Sequence, residues 1–187
     1  MNMNITPITD RLFLVESIVP QELVNQISEI DWDKLPMHIP DPEVPRLQLL
    51  GYTNPVLRQV DVGLANNFSY IESKLGVSFD SKIPGSNWWL DGPGTMFPIH
   101  TDGNLVSSMQ LYWYGATEDY GTVFYNSKNP DDILYKFKFT TNSGYIMLNQ
   151  LNEDGSQPLQ WHGMLNTVPD GMYRLSSYTY FGTYKTK

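Results

Sequence analysis

The chain of 187 residues contains no cysteine. Disulfides, iron–sulfur clusters, zinc–thiolate sites and thiol nucleophiles are therefore excluded, and any bound metal ion must be held by histidine and carboxylate side chains. Histidine is also scarce, because the sequence has only three: His38, His100 and His162. A metal site would have to draw on these few residues.

Basic residues are outnumbered, with 12 lysines and arginines against 20 aspartates and glutamates and a net charge of -8. Such a chain repels phosphate backbones, so nucleic acid is not expected as a partner. The first ten residues lack a basic stretch followed by an apolar one, and no apolar run reaches the length of a membrane span. We expect a cytoplasmic protein that does not enter a membrane.

The first half of the sequence predicts two helices and a proline-rich stretch. Residues 20–30 have apolar side chains at helical spacing, with Ser17 available as a cap, and residues 61–75 show the same period before Gly76. Between them, five prolines in residues 35–55 predict an extended or looped segment. Both helices are expected to cover a sheet.

From Trp88 onward, short runs rich in aromatic and β-branched residues alternate with turn clusters, which predicts β-strands. We predict eight strands, at residues 88–90, 96–100, 108–114, 122–125, 134–140, 145–148, 159–165 and 173–181. A jelly roll, or double-stranded β-helix, is the economical way to close eight short strands. We expect one domain, residues 1–187, in which 1–84 give helical and loop support to one sheet and 85–182 form the jelly-roll catalytic core.

The stretch FPIHTDGN places a histidine two positions before an aspartate. Side chains alternate along an extended strand, so His100 and Asp102 share a face and can bind one metal ion. His-x-Asp is common in ordinary turns, so the motif is weak by itself. For a third ligand we prefer His162, within LQWHGML, to His38 in the proline-rich stretch. Two histidines and one carboxylate leave coordination positions open, as in non-haem Fe(II) oxygenases.

The last predicted strand, YRLSSYTYF, carries polar side chains on one face: Arg174, Ser176, Tyr178 and Tyr180. A buried arginine needs an anion. An acidic residue of the chain could supply it in a structural salt bridge, or Arg174 could bind the carboxylate of a ligand through its rigid fork of donors.

Together, HTD at 100–102, WHG at 161–163 and RLS at 174–176 resemble the 2-oxoglutarate- and Fe(II)-dependent dioxygenases, and more loosely their prolyl-hydroxylase-like branch, over roughly residues 85–182. The resemblance implies Fe(II), 2-oxoglutarate and O2 as cofactors. It implies that His100, Asp102 and His162 bind the iron and that Arg174 and Ser176 bind the far carboxylate of 2-oxoglutarate. A further contact to 2-oxoglutarate is expected from Tyr112 or Tyr114, in QLYWYG.

The implied activity is hydroxylation of an unidentified substrate, either a protein side chain or a small molecule, with release of succinate and CO2. A non-catalytic metal- or ligand-binding jelly roll is the alternative, because fold does not determine function. A zinc hydrolase could use the same ligands but would need an acid or base beside the metal-bound water. Of the adjacent Trp88 and Trp89, one is expected in the core, and the other could line a substrate groove.

Overall fold

The computed structural model describes residues 3–39, 43–49, 54–80, 85–102, 107–115, 117–149, 154–155 and 160–187. Three helices occur in this part of the chain: α1 (Gln21–Ser28), α2 (Pro55–Asn66) and α3 (Phe68–Leu75). The strands are β1 (Asn4–Pro7), β2 (Leu12–Glu16), β3 (Met37–His38), β4 (Arg46–Leu49), β5 (Val77–Phe79), β6 (Gly85–Asp91), β7 (Ser107–Gly115), β8 (Val123–Tyr125), β9 (Ile133–Lys136), β10 (Ser143–Met147), β11 (Trp161–Gly163), β12 (Arg174–Gly182) and β13 (Tyr184–Thr186). None of the described helices is both long enough and apolar enough to cross a membrane.

An eight-stranded sheet, in the order β1-β2-β10-β7-β12-β6-β4-β3, forms one wall of the molecule. A three-stranded sheet, β11-β8-β9, forms the opposite wall, and β13 pairs with β5. Aromatic side chains fill the space between the two walls, where Phe124 of β8 lies 5.0 Å from Tyr145 of β10 between ring centroids. This arrangement confirms the predicted jelly roll.

Alternation along the central strands divides the core into two layers. On β7, Met109, Leu111 and Trp113 face the helices, whereas Gln110 and Tyr112 face the opposite wall. The helices α1, α2 and α3 bury their apolar residues in the same cluster as the outer face of the long sheet. The helices therefore pack on one sheet, as predicted, and leave the other face of that sheet for the cavity.

The helix boundaries differ from the predicted ones for local reasons. The helix α1 begins after Pro20 and has no side-chain cap; Ser17 has a φ of 55° and takes no part in capping. The second predicted helix begins earlier, because the Asn54 side chain accepts hydrogen bonds from two backbone N–H groups of the first turn. It is also divided at Asn67 into α2 and α3, and α3 ends at Gly76 in the left-handed conformation, as predicted.

Four strands of the long sheet come from the first 50 residues, where the sequence predicted helix and loop. Within the proline-rich stretch, β3 and β4 add to the edge of the sheet beside β6, a position at which neighbouring prolines are tolerated. Residues 96–100, by contrast, were wrongly predicted as a strand: only His100 makes a β-bridge, and its partner is His162.

Candidate metal centre and its cavity

The structure brings together the three residues chosen as metal ligands. One ligand atom from each of His100, Asp102 and His162 lies within 4.8 Å of the others. Oδ1 of Asp102 is 3.9 Å from Nε2 of His100 and 3.7 Å from Nε2 of His162. The remaining histidine, His38, lies exposed on β3 and is not part of this cluster.

Backbone pairing fixes the two histidines side by side. His100 and His162 exchange N–H to carbonyl hydrogen bonds of 2.9 and 2.8 Å, although only His162 belongs to a strand. The next residue, Gly163, allows this approach, because a Cβ at that position would lie 2.9 Å from the Phe97 carbonyl oxygen. The glycine of the WHG motif therefore has a structural role in the site.

Both imidazole rings are oriented to present Nε2 to the centre. Nδ1 of His100 lies 2.7 Å from the Pro98 carbonyl oxygen, and Nδ1 of His162 lies 3.0 Å from that of Gln160. A carbonyl only accepts hydrogen bonds, so each Nδ1 carries the proton and each Nε2 keeps its lone pair for a metal ion. Burial lowers the pKa of His162 despite the nearby Asp102 carboxylate, which favours the neutral ligand form.

The second oxygen of Asp102 is held by Tyr178. The Tyr178 hydroxyl donates to Oδ2 at 3.1 Å and lies 2.7 Å from Oγ of Ser108, which can donate to it in turn. Burial and then the Asp102 charge raise the pKa of Tyr178 far above its usual value, so the phenol stays protonated and remains a donor. Tyr178 thus orients the carboxylate that would bind the metal.

We expect Tyr178→Phe to weaken metal binding by about 10- to 100-fold, the usual cost of removing a hydrogen bond to a ligand residue. An anaerobic Fe(II) titration measures this affinity. Tyr180→Phe is the matched control, because it removes a hydroxyl two residues along the same face of β12. Equal losses in the two variants would show that the Asp102 contact has no special role.

A cavity of about 220 Å³ opens at the three ligand residues. Its deep part is polar and its outer part aromatic; the lining residues are Arg46, Trp89, Phe97, His100, Asp102, Gln110, Thr122, Tyr145, His162, Gly163, Met164, Arg174, Tyr178 and Tyr180. Of the tryptophan pair, Trp89 lines this cavity, whereas Trp88 is fully buried against Trp113 in the helix-facing layer. The alternation expected for the pair is therefore observed.

Arg174 lines the cavity but is already paired with an acid of the chain. Its Nε and Nη2 both lie 2.8 Å from Oδ2 of Asp91, and its Nη1 donates to the Tyr120 carbonyl oxygen at 2.7 Å. The side chain is almost completely buried. A guanidinium has five N–H donors, so these contacts leave two for a ligand. Arg174 therefore has a structural salt bridge and can still bind an anion in the cavity.

A second arginine, Arg46 of β4, contacts the same carboxylate. Its Nε donates to Oδ1 of Asp91, and its Nη2 donates to Oδ2 at 3.2 Å. Strand register places Arg46, Asp91 and Arg174 in one row across β4, β6 and β12. Burial opposes ionisation of Asp91, but Arg174 and Arg46 outweigh it and lower the pKa of this carboxyl group.

The two other predicted 2-oxoglutarate contacts lie beside the cavity rather than on its surface. Ser176 is fully buried, and its Oγ lies 3.5 Å from Nε2 of Gln110. Tyr112 is also fully buried, and its hydroxyl donates to Oγ1 of Thr122 at 2.9 Å. Gln110 and Thr122 line the cavity in their place. Tyr114 is 46% exposed near the end of β7.

Sequence reasoning missed several cavity residues. Asp91 was assigned only to a turn cluster, and Arg46 was hidden in the proline-rich stretch. Gln110, Thr122 and Tyr145 form a buried network, in which the Tyr145 hydroxyl donates to Oε1 of Gln110 at 2.6 Å and Thr122 approaches the same oxygen. The available signal was alternation, because Gln110 shares a face with Tyr112, but alternation does not show how deep each side chain lies.

Neither protein-family models nor curated protein sequences match this chain, but solved structures do. A prolyl 4-hydroxylase from Pseudomonas putida has a TM-score of 0.60 at 14% identity, with 92% of both chains covered. HygX from Streptomyces hygroscopicus, solved with nickel and 2-oxoglutarate bound, has a TM-score of 0.60 at 9% identity, covering 92% of this chain and 82% of that one. The collagen prolyl hydroxylase of Paramecium Bursaria Chlorella virus-1, solved as a 2-oxoglutarate complex, has a TM-score of 0.57 at 10% identity, covering 94% and 97%. The chain shares the jelly-roll fold of these 2-oxoglutarate oxygenases.

Proposed function

We propose that this chain is a 2-oxoglutarate- and Fe(II)-dependent oxygenase that hydroxylates a protein side chain or a small molecule. The observation that carries the proposal is the convergence of His100, Asp102 and His162 at the opening of a cavity that also contains the Arg174 guanidinium. A facial set of two histidines and one carboxylate is typical of non-haem Fe(II) oxygenases. The structural neighbours, two of which have 2-oxoglutarate bound, support the same assignment.

The residues present fit Fe(II) well. Hydrogen bonds at both Nδ1 atoms orient the two imidazoles, and Tyr178 orients the carboxylate, so all three ligands are arranged before a metal binds. Fe(II) with a bound 2-oxo acid supplies the oxidising chemistry that converts 2-oxoglutarate and O2 to succinate and CO2 and hydroxylates a substrate carbon. The chain itself positions the reactants and limits access of water.

The buried end of the cavity suits the far carboxylate of 2-oxoglutarate. Arg174 has two N–H donors left after its contacts to Asp91 and Tyr120, and a planar guanidinium matches a carboxylate. Thr122 and Tyr145 place hydroxyl groups in the same part of the cavity. The substrate would enter past the outer aromatic residues, among which Trp89 and Tyr180 line the cavity.

The test is anaerobic addition of Fe(II) and 2-oxoglutarate to the purified protein, followed by visible spectroscopy. Chelation of iron by a 2-oxo acid produces a metal-to-ligand charge-transfer band, so the test does not require the substrate. We expect the band in the wild-type protein, which would justify a substrate screen that measures succinate release. Bound metal without the band would favour a zinc hydrolase or a non-catalytic binding jelly roll.

We expect Arg174→Ala to keep the charge-transfer band but to require about 10-fold or more 2-oxoglutarate, because a charged hydrogen-bond partner is lost. The apparent dissociation constant is read from the band during titration. Asp91 keeps Arg46 as a partner in this variant, which limits the damage to the fold. An unchanged dissociation constant would show that Arg174 is only a structural residue.

A further inference from the structure

The acidic and basic groups at one wall of the cavity do not balance. Arg46 and Arg174 both contact Asp91, and their Nη2 atoms lie against the same oxygen, Oδ2, at 3.2 and 2.8 Å. Two guanidinium groups and one carboxylate leave one positive charge in excess. Among the described residues that line the cavity, Asp102 is the other acid, and it faces the two histidines.

An arginine paired one to one with an aspartate presents little net charge to a further anion. Arg174 alone with Asp91 would be such a neutral pair, and it would attract a carboxylate only weakly. Arg46 changes this balance, because it shares Asp91 and adds a second cation. The positive charge that draws an anion to this wall therefore belongs to the pair of arginines rather than to Arg174 alone.

We propose that Arg46, together with Arg174, binds the far carboxylate of the 2-oxo acid, with Asp91 as the positioning residue that holds both guanidinium groups. This inference rests on the proposed function and extends it to a residue outside the three motifs. It makes Arg46 a determinant of selectivity for dicarboxylic over monocarboxylic 2-oxo acids.

Arg46 is well arranged for this role. Its contacts to Asp91 use two of its five N–H donors and leave three for a ligand. Its guanidinium lies 4.7 Å from the ring centroid of Trp89 and 4.3 Å from that of Phe97, and these cation–π contacts restrict its motion. The side chain is 19% exposed, compared with 2% for Arg174, so Arg46 is the more accessible of the pair.

The total charge of the loaded site agrees with this assignment. Fe(II) and the two arginines carry four positive charges, whereas Asp91 and Asp102 carry two negative ones. The excess of two positive charges equals the charge of the 2-oxoglutarate dianion. Without Arg46, the loaded site would be left with a net negative charge in a largely enclosed cavity, which is unfavourable.

The experiment compares two 2-oxo acids of equal length in wild type and Arg46→Gln. 2-Oxoglutarate has a far carboxylate, and 2-oxovalerate has a methyl group there, while both have the same metal-chelating end. Affinity for each acid is read anaerobically from the charge-transfer band with Fe(II). The matched control is Arg58→Gln, the same substitution at an exposed position of α2.

We expect Arg46→Gln to weaken 2-oxoglutarate binding by about 10-fold or more and to leave 2-oxovalerate binding nearly unchanged. Arg58→Gln should change neither. An unchanged affinity for 2-oxoglutarate, or equal losses for both acids, would overturn the inference while the wild-type band still supported the proposed function. Absence of the band in the wild type would instead contradict the proposed function itself.

Discussion

His162→Ala should eliminate the charge-transfer band and reduce Fe(II) affinity by on the order of 100-fold or more, since removing a ligand costs at least as much as removing a hydrogen bond to one. The imidazole is largely buried, and its Nε2 lies 3.7 Å from Asp102 Oδ1, so the described part of the chain offers no replacement in the same position. An anaerobic Fe(II) titration, with and without 2-oxoglutarate, measures both effects. Activity on any substrate should be lost as well.

The fold is expected to survive this substitution. The hydrogen bonds between His162 and His100 join backbone atoms, so alanine keeps them. The main lost packing contact is with the Phe124 ring, which lies 5.3 Å from the imidazole between centroids. His38→Ala is the matched control and should leave iron binding intact, because His38 lies exposed on β3. Iron lost from the His38 variant but kept by the His162 variant would reverse the ligand assignment.

Short-range periodicity was sufficient to predict the layers of the fold. Alternation along β12 correctly placed Arg174, Tyr178 and Tyr180 on the cavity side. Helical spacing identified the residues of α1 that pack on the sheet. These predictions depend on backbone geometry within one element, which the sequence specifies directly.

Contacts between distant strands could not be predicted in the same way. The row of Arg46, Asp91 and Arg174 exists because β4 pairs with β6 and β6 pairs with β12. Nothing local in the sequence encodes this pairing. The proline-rich composition also concealed β4, since prolines are tolerated beside an edge strand but are unfavourable inside most others.

The depth of a side chain was equally hidden. Ser176 and Tyr112 are on the predicted face of their strands, but that face is shared between the cavity and the aromatic core between the sheets. Neighbouring side chains, Gln110 and Thr122, cover them. Depth depends on the opposite wall of the jelly roll, and a single-strand pattern contains no information about that wall.

Asp91→Asn is expected to destabilise the protein by about 3–5 kcal/mol, because it leaves two arginines without the carboxylate that both contact. Asparagine has nearly the same shape, so the loss would come from charge rather than from packing. Chemical denaturation at pH 7 measures the free energy of unfolding. Asp170→Asn, at an exposed position, is the matched control and should change stability little.

The effect of Asp91→Asn should also depend on pH in a defined direction. The arginines lower the pKa of Asp91 in the folded protein below its value of about 3.9 in an unfolded chain. A lowered pKa stabilises the fold fully above the unfolded value, and this contribution is lost as the pH falls through the folded value. The difference in stability between wild type and Asp91→Asn should therefore be constant near neutral pH and shrink below about pH 4. A difference that did not change with pH would mean that the carboxylate charge is not what holds Arg46 and Arg174 together.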